Sequence, residues 1–182
     1  MNLQGKDRRV VLRTQKLYKK EPQVSPDGRK VLFLAEKDLG VINGIEEDVK
    51  ALYTVRMNGT HLKAVVPFDF DVCGCGGDWS PNGNRIAFSD NAGAGDEPQT
   101  RPTNVATIRP DGTGLRFLTH FQGINVYVSS GSYSPNGRWI LFKTQRGDNY
   151  ALWKIHPDGT RTTLIARFNF NPGTRDWGPR PT

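Results

Sequence analysis

The chain alternates short apolar runs with clusters of glycine, proline, asparagine and aspartate over most of its length. Three of the runs read "VLFL" from Val31, "IAF" from Ile86 and "ILF" from Ile140. They do not alternate strictly between apolar and polar residues, which predicts strands that are buried on both faces. The stretch "EEDVKALYTV" from Glu46 has a helical appearance, but the other copies of the same pattern favour a strand there.

The same turn sequence precedes each of these runs. It reads "SPDG" from Ser25 and "SPNG" from Ser80 and Ser134, at spacings of 55 and 54 residues. Proline sets φ near about −65° at the first central position, and glycine accepts the left-handed conformation that closes a short hairpin loop. The turn residues are Pro26, Asp27 and Gly28, then Pro81, Asn82 and Gly83, then Pro135, Asn136 and Gly137.

A second turn follows in each repeat and has the form Asn-Gly-Thr or Asp-Gly-Thr. Its glycines are Gly59, Gly112 and Gly159. The flanking runs are "ALYTVR", "NVATIR" and "ALWKIH" on one side and "LKAVV", "LRFLT" and "TTLIA" on the other. A degenerate copy of the first turn, "RDWGPRP", stands near the end of the chain. Each repeat therefore predicts four short strands in fixed order.

Four antiparallel strands in each repeat predict an all-β fold built from consecutive β-propeller blades. "RRVVLR" from Arg8 is interpreted as the last strand of a preceding blade, and the inserts "EKDLGVINGIEED", "NAGAGDEPQTRPT" and "RGDN" as variable loops between second and third strands. We expect about three complete blades with partial strands at both ends. The predicted division is a basic segment at 1–20, blades at 21–67, 68–120 and 121–167, and the first strand of a further blade at 168–182.

The stretches "SPDGRKVLF", "DWSPNGNRIAF" and "SYSPNGRWILF", each with a later Asn-Gly-Thr or Asp-Gly-Thr turn, resemble the WD40-like propeller repeat of the TolB family. The resemblance covers nearly the whole chain. It implies a non-catalytic protein-binding scaffold that is periplasmic or exported. Related propellers precede the hydrolase domain of prolyl-oligopeptidase-type peptidases, so a substrate-gating propeller without its hydrolase is the first alternative. A sugar-directed lyase-like propeller is a second, but it would need grouped metal-binding histidines.

Three repeats are fewer than the six that the family resemblance implies, and a ring of three blades does not close. We therefore expect a fragment of a propeller. The alternative is half of a ring that self-association with a second copy completes. No secretory signal is visible at the N-terminus, which favours a cytoplasmic protein or a missing true start.

The formal net charge is +7, with many of the basic residues in the first thirty positions. We interpret this charge as a solvated basic segment and expect no nucleic-acid partner. No apolar stretch is long enough for a membrane span.

No pattern of catalytic residues stands out. The serines of the Ser-Pro turns have no partner histidine in the pattern, and no G-x-S-x-G motif is present. We expect a protein that is not an enzyme and that needs no cofactor or metal. A metal at Asp69, Asp71, Cys73 or Cys75 stays open, although solvated carboxylates and free thiols are the favoured interpretation.

The connections into the first strand of each blade are the predicted binding surface for a protein partner. They span 68–78, 121–131 and 168–176 and combine aromatic residues with asparagine and glycine. Trp79, Tyr133 and Trp177 recur one residue before the first turn, where packing between blades explains them best. The candidate binding residues are Phe68, Phe70, Asp78, Trp79, Phe121, Asn125, Tyr127, Asn171, Arg175 and Trp177.

Overall fold

The chain folds into three antiparallel sheets of four strands each. The computed structural model describes residues 9–14, 17–42, 45–90, 103–122, 126–173 and 177. In every sheet each strand pairs with the next strand of the chain. The predicted all-β fold of consecutive blades is therefore confirmed. Among the described residues, no helix is long and apolar enough to cross a membrane.

The strand bounds follow the repeat. The first sheet contains β1 (Tyr18–Val24), β2 (Lys30–Ile42), β3 (Ile45–Arg56) and β4 (Lys63–Val66). The second contains β5 (Val72–Trp79), β6 (Ile86–Asp90), β7 (Val105–Ile108) and β8 (Arg116–Phe117). The third contains β9 (Tyr127–Tyr133), β10 (Ile140–Arg146), β11 (Asn149–Ile155) and β12 (Thr163–Phe168). A short 3-10 helix, Phe68–Phe70, connects the first two sheets.

The Ser-Pro-Asx-Gly turns have the same hydrogen bonds in all three sheets. In the first, the Ser25 hydroxyl donates to Asp27 Oδ1 at 2.6 Å and accepts from the Lys30 amide at 2.9 Å. The Gly28 amide donates to the Ser25 carbonyl at 2.8 Å, and φ of Gly28 is 70°. Asn82 and Asn136 replace Asp27 in the other two turns with equivalent bonds. The turn therefore needs the side-chain oxygen and not its charge.

Valine at Gly83 or Gly137 is expected to destabilise the chain by at least about 2 kcal/mol, because a β-branched residue resists the left-handed conformation. The φ values are 71° and 69°, and each glycine stands against the proline of the preceding turn, Pro26 or Pro81. Denaturant unfolding of both variants measures the effect. An unchanged midpoint in both would contradict the turn assignment.

Two apolar cores hold the three sheets together. Between the first and second sheets, Leu32, Leu34 and Leu52 pack against Ile86 and Phe88. Between the second and third sheets the core contains Ala87, Val105, Leu118, Val126, Val128, Tyr133, Ile140, Phe142 and Ile155. Most of these side chains are completely buried, so each sheet is covered on the face that meets its neighbour. This is the packing of consecutive propeller blades.

The N-terminal segment differs from the predicted strand. In the described part of the chain, residues 9–14 belong to none of the strands. Val11 and Leu12 instead pack on the outer face of the first sheet beside Phe33 and Val55. The Val11 carbonyl lies beside Gly59, as the carbonyls of the outermost strands of the first two blades lie beside Gly112 and Gly159. The segment thus takes the place of an outermost strand without its pairing.

The first insert also differs from its prediction. The described residues of "EKDLGVINGIEED" continue β2 and β3 into a long hairpin, with pairs from Lys30↔Arg56 to Ile42↔Ile45. "RGDN" forms the tight hairpin that its length predicts, with Arg146 opposite Asn149. Most of "NAGAGDEPQTRPT" lies outside the described residues. Antiparallel pairing of β2 with β3 therefore replaces one of the expected variable loops.

Candidate functional site

The two ends of the sheets carry different kinds of connection. In a meander of four antiparallel strands, the first and third turns lie at one end, and the second hairpin lies at the other end with the connection to the next sheet. We call the second end the connection face. Of the described residues, it comprises the hairpin at 37–50 and the connections at 67–71, 118–122 and 169–173.

The hairpin at 37–50, termed the arm, projects from this face. β1 pairs with β2 only as far as Glu36, and β4 pairs with β3 only as far as Leu52. Beyond these points the two strands of the arm pair only with each other in the described part of the chain. Leu39 and Val41 are 42% and 66% exposed. The arm therefore presents strand edges and apolar side chains to solvent.

The base of the arm is fixed to the neighbouring connection. The Lys50 amide donates to Asp71 Oδ1 at 2.9 Å. Asp71 has a φ of 49° and directly follows the 3-10 helix that links the first two sheets. The side chain of a residue whose backbone φ is rare for non-glycine residues thus ties the arm to the connection.

The phenylalanines predicted as binding anchors are half-buried, Phe70 and Phe121 against the cores between blades and Phe68 on the outer face of the first sheet. The Phe70 ring is 5.8 Å from Phe88 and 6.2 Å from Phe117, between centroids. Phe68 contacts Tyr53 at 6.0 Å, and Phe121 contacts Phe142 at 6.3 Å. These rings fix the connections to the cores, which leaves little of them for a partner. Their presence on the connections was predicted, but their burial depends on the neighbouring sheets.

Parts of the predicted loops are strands. Residues 72–78 belong to β5 and 127–131 to β9, because the chain pairs with the second strand of its blade earlier than the turn pattern indicates. Tyr127 is half-buried in β9 opposite Gln145. Asn171 is exposed and its Oδ1 accepts from Lys143 Nζ at 2.6 Å. Asn125 and Arg175 lie outside the described residues.

The aromatic residues before the first turn join consecutive blades. The Trp79 indole donates to the Gln23 carbonyl at 3.3 Å, and the Trp177 indole donates to the Ser132 carbonyl at 2.8 Å. Both acceptors lie two residues before the serine of their own turn, so the two bonds are repeat-equivalent. Tyr133 occupies the third position, where Asp78 Oδ2 accepts from its amide at 2.7 Å. The contacts between blades that the sequence predicts at these three positions are present.

A buried polar network, which the sequence pattern did not reveal, fixes the second connection. Asn104 Oδ1 accepts from the Thr119 hydroxyl at 3.0 Å and from the Phe121 amide at 2.9 Å. The Thr119 hydroxyl in turn accepts from the Val105 amide at 2.9 Å. Asp90, fully buried, accepts from the Asn104 amide. The polar residues that flank β7 would have been the only signal for it.

The opposite end of the sheets is rich in basic residues. Two grooves there, of about 390 and 630 Å³, share Lys30 and Arg56 in their linings. The carboxylates of this end belong to the turns. The Thr113 and Thr160 hydroxyls lower the pKa of Asp111 and Asp158, and the Ser25 hydroxyl lowers the pKa of Asp27. These carboxylates therefore stay ionised, and they accept hydrogen bonds from residues of their own turns.

Within the described ranges, no group of three or more histidine, cysteine, aspartate or glutamate side chains has the geometry to hold a metal ion. Asp69 is exposed on the 3-10 helix, and Asp71 is bonded to the arm. In the part of the chain that the structure describes, Cys73 and Cys75 form no disulfide, and both are half-buried in β5.

No protein-family profile matches the chain. The uncharacterized protein Atu1656 of Agrobacterium fabrum is 25% identical, in an alignment that covers the whole chain and 68% of that protein. TolB from Acinetobacter baumannii is similar in structure with a TM-score of 0.63 and 19% identity, over 90% of the chain and 36% of TolB.

Other solved propellers are similar to the same degree. An oligogalacturonate lyase in complex with manganese has a TM-score of 0.65 at 10% identity, with 88% of the chain and 45% of the lyase covered. A puromycin hydrolase has a TM-score of 0.61 at 20% identity, with 84% of the chain and 23% of the hydrolase covered. The chain spans less than half the length of each of these solved structures. Its three sheets therefore have the TolB-like β-propeller fold, as consecutive blades of it.

Proposed function

We propose that the chain is a non-catalytic protein-binding scaffold whose partner contacts the connection face at the arm. The observation that carries the proposal is the arm itself, a paired hairpin whose outer strand edges have no neighbour in the described part of the chain. Free strand edges take up extended segments of other proteins through main-chain hydrogen bonds.

The side chains of the arm support a specific contact. Leu39 and Val41 present apolar surface, while Lys37, Asp38 and Asp48 surround it with charge of both signs. Charged residues beside an apolar strand edge suppress indiscriminate pairing, and the apolar side chains give a selected partner something to bury. The arm is also held at its base by the Lys50–Asp71 bond, which reduces the entropy lost on binding.

The short hairpin of the third blade shows how the arm can be removed from the first blade. In the third blade Gln145 pairs with Tyr150 across the short "RGDN" hairpin, and in the first blade Glu36 pairs with Lys50 at the base of the arm. Replacing residues 37–49 with Arg-Gly-Asp-Asn therefore gives the first blade the hairpin length of the third. We expect this trimmed chain to fold, with the far-UV circular dichroism spectrum of a β protein, and to bind the partner much more weakly.

The measurement compares proteins that the immobilised native and trimmed chains retain from an extract of the source cells, by quantitative mass spectrometry. A retained protein is then purified, and its Kd is measured for both chains. We expect the native Kd to weaken at least about tenfold on trimming. Equal affinity of a purified partner for both chains would contradict the role of the arm. If no protein binds the native chain more strongly than an unrelated propeller, the scaffold proposal fails.

Point variants separate the arm from general exposure of apolar residues. Leu39→Ser with Val41→Ser removes the apolar pair of the arm, whereas Leu164→Ser with Ile165→Ser removes two side chains of β12 that are 37% and 48% exposed. Only the first double variant is expected to weaken binding of the partner.

The alternative function, a substrate-gating propeller, predicts that the protein retained by the native chain is a hydrolase, which a fluorophosphonate probe labels at its catalytic serine.

A further inference from the structure

Two cations face each other across the first sheet at the end opposite the connection face, which we call the basic end. Lys30 begins β2 and Arg56 ends β3, and the two residues pair directly in the register of these strands. Side chains of directly paired residues lie on the same face of a sheet, where like charges repel and destabilise the pairing. An anion bound between the two side chains would relieve this repulsion.

The described part of the chain supplies no such anion. Neither Lys30 nor Arg56 donates a side-chain hydrogen bond or forms an ion pair with any described residue. Asp27 lies in the neighbouring turn, where its Oδ1 accepts from the Ser25 hydroxyl at 2.6 Å and from the Arg29 amide at 3.1 Å. The cation pair is therefore left to an anion from outside this part of the chain.

The two grooves of the basic end are built around this pair, since Lys30 and Arg56 line both. The other titratable residues of the two linings are Asp27, Arg29, His61, Lys63 and Asp111. Asp111 Oδ1 accepts from the Thr113 amide at 2.9 Å and from the Thr113 hydroxyl at 2.7 Å, which holds it in its own turn. Lysine and arginine outnumber the carboxylates in these linings, so the grooves carry an excess of positive charge.

The second blade repeats the cation pair. Arg85 directly precedes Ile86 and Arg109 directly follows Ile108, and these two isoleucines are paired. The two arginines therefore continue the same register as Lys30 and Arg56 do in the first blade. Each guanidinium donates to a neutral oxygen of the turn at 110–114. Two consecutive blades thus present a cation pair at the same repeat position.

The third blade shows that the fold does not require cations at this position. Trp139 and His156 stand there instead, with ring centroids 5.8 Å apart in an edge-to-face contact. The same two turns close the strands of all three blades with equivalent hydrogen bonds. The charge of the first two blades is therefore a feature that the turns do not explain.

We propose that the basic end of the first two blades binds an acidic segment of a protein partner, whose aspartate or glutamate side chains occupy the two cation pairs. Arginine recognises carboxylates through parallel N–H donors, and hydrogen bonds between ionised groups are stronger than neutral ones. This surface lies at the other end of the sheets from the arm and does not depend on the function proposed for it.

The linings favour a peptide over a nucleic acid. Asp27 and Asp111 interrupt the positive surface, so a ligand has to place its charges at separate points. A peptide does so with spaced acidic side chains, whereas a nucleic acid carries a phosphate at every nucleotide. Among their described residues, neither lining contains a phenylalanine, tyrosine or tryptophan on which unpaired bases could stack.

The test is the fluorescence anisotropy of a labelled octaglutamate peptide titrated with the full native chain. We expect binding that weakens as salt is added, and no binding of the matching octaglutamine peptide. Lys30→Gln with Arg56→Gln should weaken the binding about tenfold through the loss of two ion pairs. The control is Arg138→Gln with Arg161→Gln, which removes the same charge from exposed positions of the third blade and should change the Kd less than about twofold.

The free energy of unfolding separates a binding role from a structural one. Because like charges repel, the Lys30→Gln, Arg56→Gln variant should be at least as stable as the native chain. A less stable variant would show that the pair supports the fold and would contradict the proposal. If the double variant does not fold, Arg56→Gln alone provides the comparison, with an expected weakening of about threefold, since Arg56 is exposed.

Three binding results would overturn the proposal. The first is a native chain that leaves the octaglutamate peptide unbound. The second is equal weakening by the two double variants, which would mean attraction to net charge alone. The third is tighter binding of a labelled oligothymidylate than of the peptide, which would assign the basic end to a nucleic acid. Each of these results leaves the scaffold proposal at the connection face to its own test.

Discussion

Alanine at Gly131 is expected to unfold the third blade or to destabilise it by at least about 3 kcal/mol. A Cβ at this position would overlap the Leu141 carbonyl oxygen and lie 2.6 Å from the Leu141 carbonyl carbon. Both atoms belong to the backbone of β10, which cannot move aside without breaking its pairing with β11. The bulge in β9 thus requires a residue without a side chain.

Denaturant unfolding monitored by circular dichroism measures this effect, with two alanine variants as controls. Gly77 occupies the same repeat position, and its Cβ would lie 3.1–3.2 Å from Leu52, Ala87 and Ile86, so a smaller loss is expected. Gly74 meets only a flexible lysine at 3.5 Å, so alanine there should change stability by less than about 1 kcal/mol. If all three variants had equal stability, the bulge geometry would be refuted.

Removing the Trp79 side chain is expected to cost about 3–5 kcal/mol, since Trp79→Ala leaves a large cavity in a packed core. The ring is only 6% exposed and belongs to the core between the first and second blades. Its indole also donates to the Gln23 carbonyl of the first blade. Trp79→Phe keeps most of the apolar contact and should cost about 1–2 kcal/mol, mainly through the unsatisfied carbonyl.

Tyr133 occupies the position equivalent to Trp79, but removing its hydroxyl is expected to stabilise the chain. Its hydroxyl is buried without a hydrogen-bond partner among the described residues, so Tyr133→Phe should stabilise the chain by about 1 kcal/mol. Burial is the main cause that raises the pKa of Tyr133; the charge of Arg85 lowers this pKa and that of Asp78 raises it, both by less. The unfolded chain releases this proton near pH 10 while the folded chain retains it, so native stability falls as the pH rises above about 10.

The predictions for Trp79 and Tyr133 are tested by measuring the unfolding free energies of the native chain and of both variants at pH 8 and above pH 10. We expect Tyr133→Phe to lose less stability than the native chain over that interval, and Trp79→Ala to lose as much as the native chain does. A destabilised Tyr133→Phe variant would show that the hydroxyl has a partner in solution. A Trp79→Ala variant as stable as the native chain would mean that the first two blades do not share a core.

The candidate site was only partly predictable. The positions of Phe68, Phe70 and Phe121 on the connections follow from the repeat, but their contacts depend on rings of neighbouring strands that lie far away in the sequence. The arm was predicted as a loop because inserts of different length stand at this same position of each repeat. The arm is held together by backbone hydrogen bonds between β2 and β3, and the pattern of apolar and polar side chains does not predict these bonds.

The sequence by itself determined the turns, the number of strands in each repeat and the blade architecture. These features depend on local preferences, in which proline, asparagine or aspartate, and glycine restrict φ and ψ within four residues. Only the tertiary structure decided the bulges, the aromatic bonds between blades and the arm. Each of these depends on which strand lies opposite and how far its register is shifted, and that is set by packing between residues distant along the chain.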